Sequence, residues 1–218
     1  MKPILLINLK AYEKGTGKNA VRLAKIASGL SNKNVDIIFA VQPTDIAAVS
    51  KIIKTFSQHI DPMEYGSNTG YILPEAVKEA GAEGTLINHS EHRLELTQIE
   101  TCIKRARALG LKTVCCASDP PVSEAVSALE PDYIAIEPPE LIGSDCSVTE
   151  CNPDVITRAI KLVKKISDVP VLCGAGIHRK EDVSKALELG AAGVLVASGV
   201  VKSDNPKKPM KELIEGFD

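Results

Sequence analysis

The chain has 218 residues, of which 44% are hydrophobic and only 3% aromatic, so the sequence predicts a sizeable core of aliphatic side chains. Its 26 basic and 28 acidic residues give a net charge of −2, which argues against a general nucleic-acid-binding protein. The first apolar run is too short for a signal peptide and no run reaches the length of a membrane span, so we expect neither a leader nor membrane association.

Short apolar runs alternate with longer helical patterns along the whole chain. Most of these runs are continuous and rich in β-branched residues, which is typical of parallel strands buried on both faces. The eight predicted strands are, in chain order, Ile4–Asn8, Val35–Val41, Gln58–Asp61, Thr85–Asn88, Thr113–Ala117, Tyr133–Glu137, Val169–Gly174 and Gly193–Ala197.

Eight strands, each followed by a helix, predict an α/β protein that forms a compact (β/α)8 barrel of eight parallel strands. No linker, low-complexity segment or shift in composition divides the sequence, so we expect one domain over residues 1–218. An open, doubly wound sheet is the alternative, because about six strands would suffice for it. The count of eight and the lack of an early GxGxxG motif favour the closed barrel.

The cysteines indicate the compartment. The six cysteines form no CxxC pair, and three of them, Cys115, Cys116 and Cys173, fall in apolar, strand-like runs. This usage is typical of reduced and mostly buried thiols. We therefore expect a cytoplasmic protein.

Polar residues follow several predicted strands, and the carboxyl ends of parallel barrel strands meet at one mouth. Alternation places Asn8 and Lys10 on the same side after strand one, where Lys10 either supplies positive charge to the mouth or extends into solvent. His89 follows strand four, as either a functional group or a structural one. His89 and His92 have no third His or Cys at ligand spacing, so we expect no metal site.

Glu137 ends strand six and is followed by a stiff segment. Pro138 and Pro139 fix φ and donate no backbone hydrogen bond. Beyond them, an apolar segment that ends in small residues suits a lid that closes over a site. An ordinary strand-to-helix loop is the alternative.

Small residues follow the last two strands. Gly174 and Gly176 come after strand seven, and Ala197 and Ser198 after strand eight. Such loops leave backbone N–H groups accessible, and in barrels the loops at these two positions often bind phosphate. Taken singly, each could be no more than a turn.

The motifs NLKAY, INHSEHR, AIEPPELIG, CGAGI and GVLVASGVV occur here in the order and spacing found in archaeal-type triosephosphate isomerases, and the chain resembles that family over essentially its whole length. The resemblance implies that dihydroxyacetone phosphate and D-glyceraldehyde 3-phosphate are interconverted through an enediolate, in glycolysis and gluconeogenesis, without a cofactor. It implies that Glu137 is the catalytic base, that His89 is the neutral electrophile, and that Lys10, beside Asn8, offsets negative charge.

The resemblance also implies supporting residues and a partner. Ser90 and Glu91 match the pair that follows the catalytic histidine and supports it. Thr69, in the segment SNTG, resembles the residue that reaches the site of a partner subunit, which implies a homodimer or homotetramer. The substrate-binding residues implied are Asn8, Lys10, Ile142 and Gly143 of the lid, Gly174, Gly176, Ala197 and Ser198.

The chain departs from the commoner family pattern in its loops. Pro138-Pro139-Glu140 stands where the commoner lid reads Pro-Val-Trp, Gly176 replaces a serine, and Ala197-Ser198 replaces a pair of glycines. Backbone N–H groups remain at these loop positions, so phosphate binding is expected to persist. The lid kinetics of other members do not transfer.

Two rival functions remain open at this point. A different phosphate-binding barrel isomerase would share the last two loops without the set of Lys10, His89 and Glu137. A catalytically inactive barrel that binds a phosphorylated ligand or acts as a scaffold should have lost one of the three, and all three are present.

Overall fold

The structure is a computed structural model that describes residues 2–30, 32–138 and 151–218. Its eight strands run parallel and close into a barrel, in which consecutive strands pair and the first strand pairs with the last. The predicted (β/α)8 barrel is confirmed. The strands are β1 Ile4–Asn8, β2 Asp36–Val41, β3 Thr55–Ser57, β4 Gly84–Ile87, β5 Lys112–Ala117, β6 Tyr133–Ile136, β7 Val171–Cys173 and β8 Gly193–Val196.

Helices follow the strands and cover the barrel. Local signals in the sequence start them: Asp119 accepts a hydrogen bond from the Val122 N–H at 2.9 Å, and Pro120 occupies the first helical position between them. None of the helices in the described ranges combines the length and apolarity needed to span a membrane. These helices are α1 Lys18–Ser28, α2 Ile46–Val49, α3 Pro74–Glu79, α4 Leu96–Ala108, α5 Pro120–Ser127, α6 Pro153–Val163, α7 Lys180–Glu188, α8 Ser198–Val201 and α9 Lys207–Glu215, with short 3-10 turns at Glu13–Gly15 and Pro43–Asp45.

Alternate residues of the strands belong to two separate cores. Leu6, for example, is in the core that fills the barrel interior, whereas its neighbour Leu5 packs in the core beneath the helices. Phe56 fills part of the interior, and a Cβ on Gly84 would lie 2.6 Å from the Phe56 ring, so glycine at this position makes room for it. Each buried side chain of this size contributes about 1.5–3 kcal/mol of transfer free energy.

The predicted position of strand three is wrong. β3 comprises Thr55–Ser57, whereas Gln58–Asp61 follows it. Thr55, Phe56 and Ser57 are buried and pair with β2, and Phe56 and Ser57 also pair with β4. The strand ends at Ser57, and Gln58 after it keeps one backbone hydrogen bond to β2, from its N–H to the Val41 carbonyl at 3.1 Å. The other seven predicted strands overlap the observed ones, with ends that differ by at most two residues.

Of the five cysteines in the described residues, four follow the prediction, and Cys146 lies outside those residues. Cys102, Cys115, Cys116 and Cys173 are free and buried. Burial raises the pKa of the Cys115 and Cys173 thiols to about 12, so these thiols are not nucleophilic at neutral pH. Cys151 is disulfide-bonded, so the expectation of reduced thiols is wrong at that position.

Candidate active site

Two adjoining cavities lie at the carboxyl end of the barrel. The mouth cavity, of about 200 Å³, is lined by Glu137 and by the loops after β7 and β8. The side cavity, of about 220 Å³, is lined by residues that follow β2 and β3. Lys10, His89 and Glu91 line both cavities. The structure therefore brings the three predicted catalytic side chains to one place, although they are far apart in the chain.

Glu137 is a buried carboxylate fixed at the end of β6. Its backbone N–H donates to the Ala117 carbonyl at 2.8 Å, which extends the pairing with β5 by one residue and holds the root of the side chain. Glu137 is only 2% exposed, and its Oε1 lies 3.4 Å from His89 Nε2. Its Oε2 has no hydrogen-bond partner among the described residues. Burying a carboxylate oxygen in this way is costly, and such groups concentrate at catalytic sites.

Gly174 and Cys116 pack closely around Glu137. A Cβ on residue 174 would lie 2.6 Å from Glu137 Cγ, so with any side chain there Glu137 or the loop after β7 would have to move. Burial, and after it the charge of Glu137, raises the pKa of the Cys116 thiol well above its ordinary value. The thiol therefore stays neutral and does not add a second negative charge beside the carboxylate.

His89 faces Glu137, and the backbone sets the tautomer of its ring. The Glu91 N–H donates to His89 Nδ1 at 3.2 Å. Nδ1 therefore accepts, and in a neutral ring the proton lies on Nε2, the nitrogen nearest Glu137. The ring can donate this proton in a hydrogen bond to an oxygen atom in the cavity.

Lys10 brings a positive charge to the mouth. Its Nζ lies 2.8 Å from Glu91 Oε1, and the lysine side chain is 12% exposed whereas that of Glu91 is 59% exposed. An ion pair with one partner in solvent is weak. A bound anion can therefore compete with Glu91 for the Lys10 ammonium group.

Two glutamines hold the backbone turn at Lys10, which is left-handed with a φ of 49°. Gln58 Nε2 donates to the Lys10 carbonyl at 3.0 Å, and Gln42 Nε2 donates to Gln58 Oε1 at 2.8 Å. The Lys10 N–H donates to Asn8 Oδ1 at 2.9 Å. Neither glutamine is predicted as a site residue from the sequence, because Gln58 falls within a predicted strand and Gln42 is one polar residue among many.

The loops after β7 and β8 contribute much of the lining of the mouth cavity. All four small residues predicted there, Gly174, Gly176, Ala197 and Ser198, are among its lining residues. Gly176 has a φ of 63°, a conformation that glycine adopts without strain. The lining also includes Tyr12 and His178, which were not predicted. They lie four and five positions beyond the ends of β1 and β7, where alternation no longer gives the direction of a side chain.

The remaining predicted residues lie elsewhere. Ile142 and Gly143 are outside the described residues, so their predicted contact with phosphate stays a prediction. Asn8 is 3% exposed and lines the side cavity. Ser90 and Thr69 line neither cavity, and Thr69 is exposed between β3 and α3. In the described parts of the chain, no group of three or more His, Cys, Asp or Glu residues is placed to hold a metal ion.

Comparison with known proteins identifies the family. The family model described as triosephosphate isomerase matches residues 3–216. The chain belongs to the triosephosphate isomerase family. It is 47% identical over 216 residues to the triosephosphate isomerase of Methanosarcina mazei, with 97% of each chain covered. It is 46% identical to that of Methanocaldococcus jannaschii, with 97% of this chain and 99% of the relative covered.

A solved structure supports the fold independently. The crystal structure of triosephosphate isomerase from Bartonella henselae has a TM-score of 0.76 to this chain, covers 100% of it and is 17% identical in sequence. At that identity the similarity shows the fold alone. The family match over nearly the whole chain confirms the predicted function, that of a triosephosphate isomerase, and the family implies a role in glycolysis.

Proposed function

We propose that Glu137, His89 and Lys10 catalyse the interconversion of dihydroxyacetone phosphate and D-glyceraldehyde 3-phosphate in the mouth cavity. One observation carries the proposal: the buried Glu137 carboxylate, with one oxygen unpartnered among the described residues, lies 3.4 Å from His89 Nε2. In a neutral ring this nitrogen bears the proton, because Nδ1 accepts from the Glu91 N–H. A base and a donor in this arrangement can act on neighbouring carbon and oxygen atoms of one small substrate.

The chemistry follows from these positions. Glu137 removes a proton from C1 of dihydroxyacetone phosphate, while the Nε2–H of His89 hydrogen-bonds to the carbonyl oxygen on C2, where negative charge develops. The enediolate then takes the proton back from Glu137 at C2, and His89 mediates the proton transfer between the two oxygens. The Lys10 ammonium group stabilises the negative charge of the phosphate and of the intermediate.

The phosphate group of the substrate is proposed to bind the loops after β7 and β8. Backbone N–H groups around Gly176, Ala197 and Ser198 are the donors, with Ile142 and Gly143 added by the family resemblance. Binding a group that does not react provides free energy that can be used to orient the reacting carbons. A triose without phosphate should therefore lose turnover rate as well as affinity.

The proposal is tested with purified protein and two assays. Turnover of D-glyceraldehyde 3-phosphate is measured in a coupled assay, and deuterium uptake at C1 of dihydroxyacetone phosphate in D₂O is followed by proton NMR. We expect both activities in the wild type, and a loss of at least about 100-fold in both for Glu137→Gln, the size expected for removal of a general base. Glu130→Gln, at an exposed glutamate outside both cavities, is the matched control.

Three results would contradict the proposal in different ways. Wild-type deuterium uptake in Glu137→Gln would assign the base to another residue. A folded wild-type protein without turnover would favour the inactive, phospholigand-binding barrel. Turnover of a pentose phosphate in place of the triose phosphate would favour the other barrel isomerase.

We further propose that the chain forms a homodimer or homotetramer, in which the loop that carries Thr69 reaches the site of a partner subunit. Tyr65 and Tyr71 flank Thr69 and are 74% and 62% exposed, which is apolar surface that a partner would cover. Light scattering after size exclusion should give a multiple of the chain mass, and Tyr71→Lys should lower it. Ile166→Lys, at an exposed apolar residue after α6, is the control. A monomeric wild type would refute the interface.

We also propose that residues 1–218 form one catalytic domain that works in the cytoplasm. The glycolytic role implied by the family supports the compartment, and the barrel strands and helices extend from Ile4 to Glu215. Fractionation of cells, with the protein followed by antibody, tests the compartment. Limited proteolysis that yields two separately stable fragments would refute the single domain.

A further inference from the structure

His89 points in a direction that β4 by itself would not give it. Leu86 belongs to the core inside the barrel, and Ile87 belongs to the core beneath the helices. If the strand continued, residue 88 would point inward and His89 would point outward among the helices. Instead, His89 Nε2 lies 3.4 Å from Glu137 Oε1 at the mouth. The chain must therefore change direction between Ile87 and His89.

Asn88 makes this change of direction. Its φ is 61°, in the left-handed region, and it is buried with 5% exposure. Few residues other than glycine adopt this conformation, and asparagine tolerates it better than most. One left-handed residue ends the alternation of the strand and redirects the residue that follows it.

Hydrogen bonds join Asn88 to the neighbouring strand, β5, and to the residues that follow His89. Asn88 Nδ2 donates to the Cys116 carbonyl on β5 at 3.0 Å, and Asn88 Oδ1 accepts from the Leu94 N–H at 3.0 Å. Arg93 Nη1 donates to the Asn88 carbonyl, also at 3.0 Å. The amide group therefore joins the neighbouring strand to the loop that returns after His89. These bonds fix the orientation of the whole turn.

We propose that Asn88 is the positioning residue for His89. Its left-handed backbone aims the imidazole at the mouth cavity, and its amide bridge between Cys116 and Leu94 holds that orientation. The inference rests on the proposed role of His89 as hydrogen-bond donor to the substrate. A loss of position of the order of 1 Å at such a donor lowers turnover by about 100-fold.

Two substitutions separate the backbone from the amide bridge. Asn88→Gly keeps access to the left-handed conformation and removes the bridge, and we expect kcat to fall about 10-fold. Asn88→Ala loses both features, and we expect a fall of about 100-fold, the size given by a 1 Å displacement. KM for D-glyceraldehyde 3-phosphate should change less than about threefold in both, because the residues that bind phosphate are untouched. If Asn88→Ala does not fold, Asn88→Gly carries the test alone.

A double-mutant cycle shows whether Asn88 acts through His89. In the His89→Gln background, Asn88→Gly should have little further effect on kcat, because the donor it positions is already gone. A role confined to stability would instead lower the melting temperature without this coupling. Glu130→Gly is the matched control, because Glu130 also has a left-handed φ, of 53°, and its carbonyl also accepts from an arginine, Arg107.

The possible outcomes are distinct. Wild-type kcat in both Asn88 variants would overturn the inference, and so would an undiminished effect of Asn88→Gly in the His89→Gln background. If His89→Gln itself keeps wild-type kcat while Glu137→Gln does not, the donor role of His89 fails and the inference fails with it. The isomerase activity would stand in each of these cases. The expected result is a coupled loss of kcat with an unchanged Glu130→Gly control.

Discussion

Gly174→Ala should impair the proposed catalytic base, Glu137, without changing that residue itself. The added Cβ would lie 2.6 Å from Glu137 Cγ and 3.0 Å from the Ile136 carbonyl oxygen. Ordinary contact between two carbon atoms is about 3.5–4.0 Å, so Glu137 or the loop after β7 must move by about 1 Å. No left-handed φ is involved at residue 174, so the effect comes from this contact rather than from backbone strain.

The expected loss follows from that displacement. A shift of about 1 Å in a catalytic group lowers turnover by about 100-fold, which corresponds to about 2.7 kcal/mol in the activation free energy. The stability cost of such overpacking is about 1–3 kcal/mol, small enough for the protein to remain folded. Steady-state kinetics with D-glyceraldehyde 3-phosphate should show the loss mainly in kcat, and a thermal melt should show that the variant is folded.

The control makes the same chemical change where there is room for it. A Cβ on Gly29, after α1, would meet nothing closer than the Ile26 carbonyl oxygen at 3.5 Å, so Gly29→Ala should keep wild-type kinetics. If Gly174→Ala is folded and keeps kcat within about threefold, the inference from a 1 Å displacement to lost turnover is refuted. Either the loop after β7 absorbs the clash, or the position of Glu137 does not limit turnover.

Three further predictions concern other groups of the site. Glu137→Asp withdraws the carboxylate by one methylene and should lower kcat by at least about 100-fold with an unchanged circular dichroism spectrum; near-normal activity would mean that the base is misassigned. Lys10→Ala should raise KM and lower kcat, with less effect in Lys10→Arg, and unchanged kinetics would remove the charge-offset role. His59 lines the side cavity, and burial lowers its pKa below the ordinary 6.5. As the pH drops below 6.5 the unfolded chain therefore takes up this proton before the folded protein does, and the free energy of unfolding should fall. In His59→Gln the melting temperature should fall less steeply below pH 6.5 than it does in the wild type. An equal fall in the variant and the wild type would show that protonation of His59 is not the cause.

The sequence by itself determined the architecture and much of the site. Continuous apolar runs alternating with helical patterns gave the count of eight strands, and the fold follows from that count because parallel strands need helical crossovers. The position of Glu137 was also readable, since it continues the inward series of β6 after Ala135. The position of β3 was not readable from the sequence. The strand has only three residues, and polar residues follow it directly.

Only the tertiary structure decided how His89 is oriented. Alternation along β4 would send His89 outward, and it reaches the mouth because Asn88 adopts a left-handed φ and bonds to β5. The room that Gly174 leaves for Glu137 is equally invisible in the sequence, since the two residues are on different strand ends and meet only when the barrel closes. Local patterns are set by neighbours along the chain, whereas the direction of a side chain at a strand end depends on contacts with distant segments.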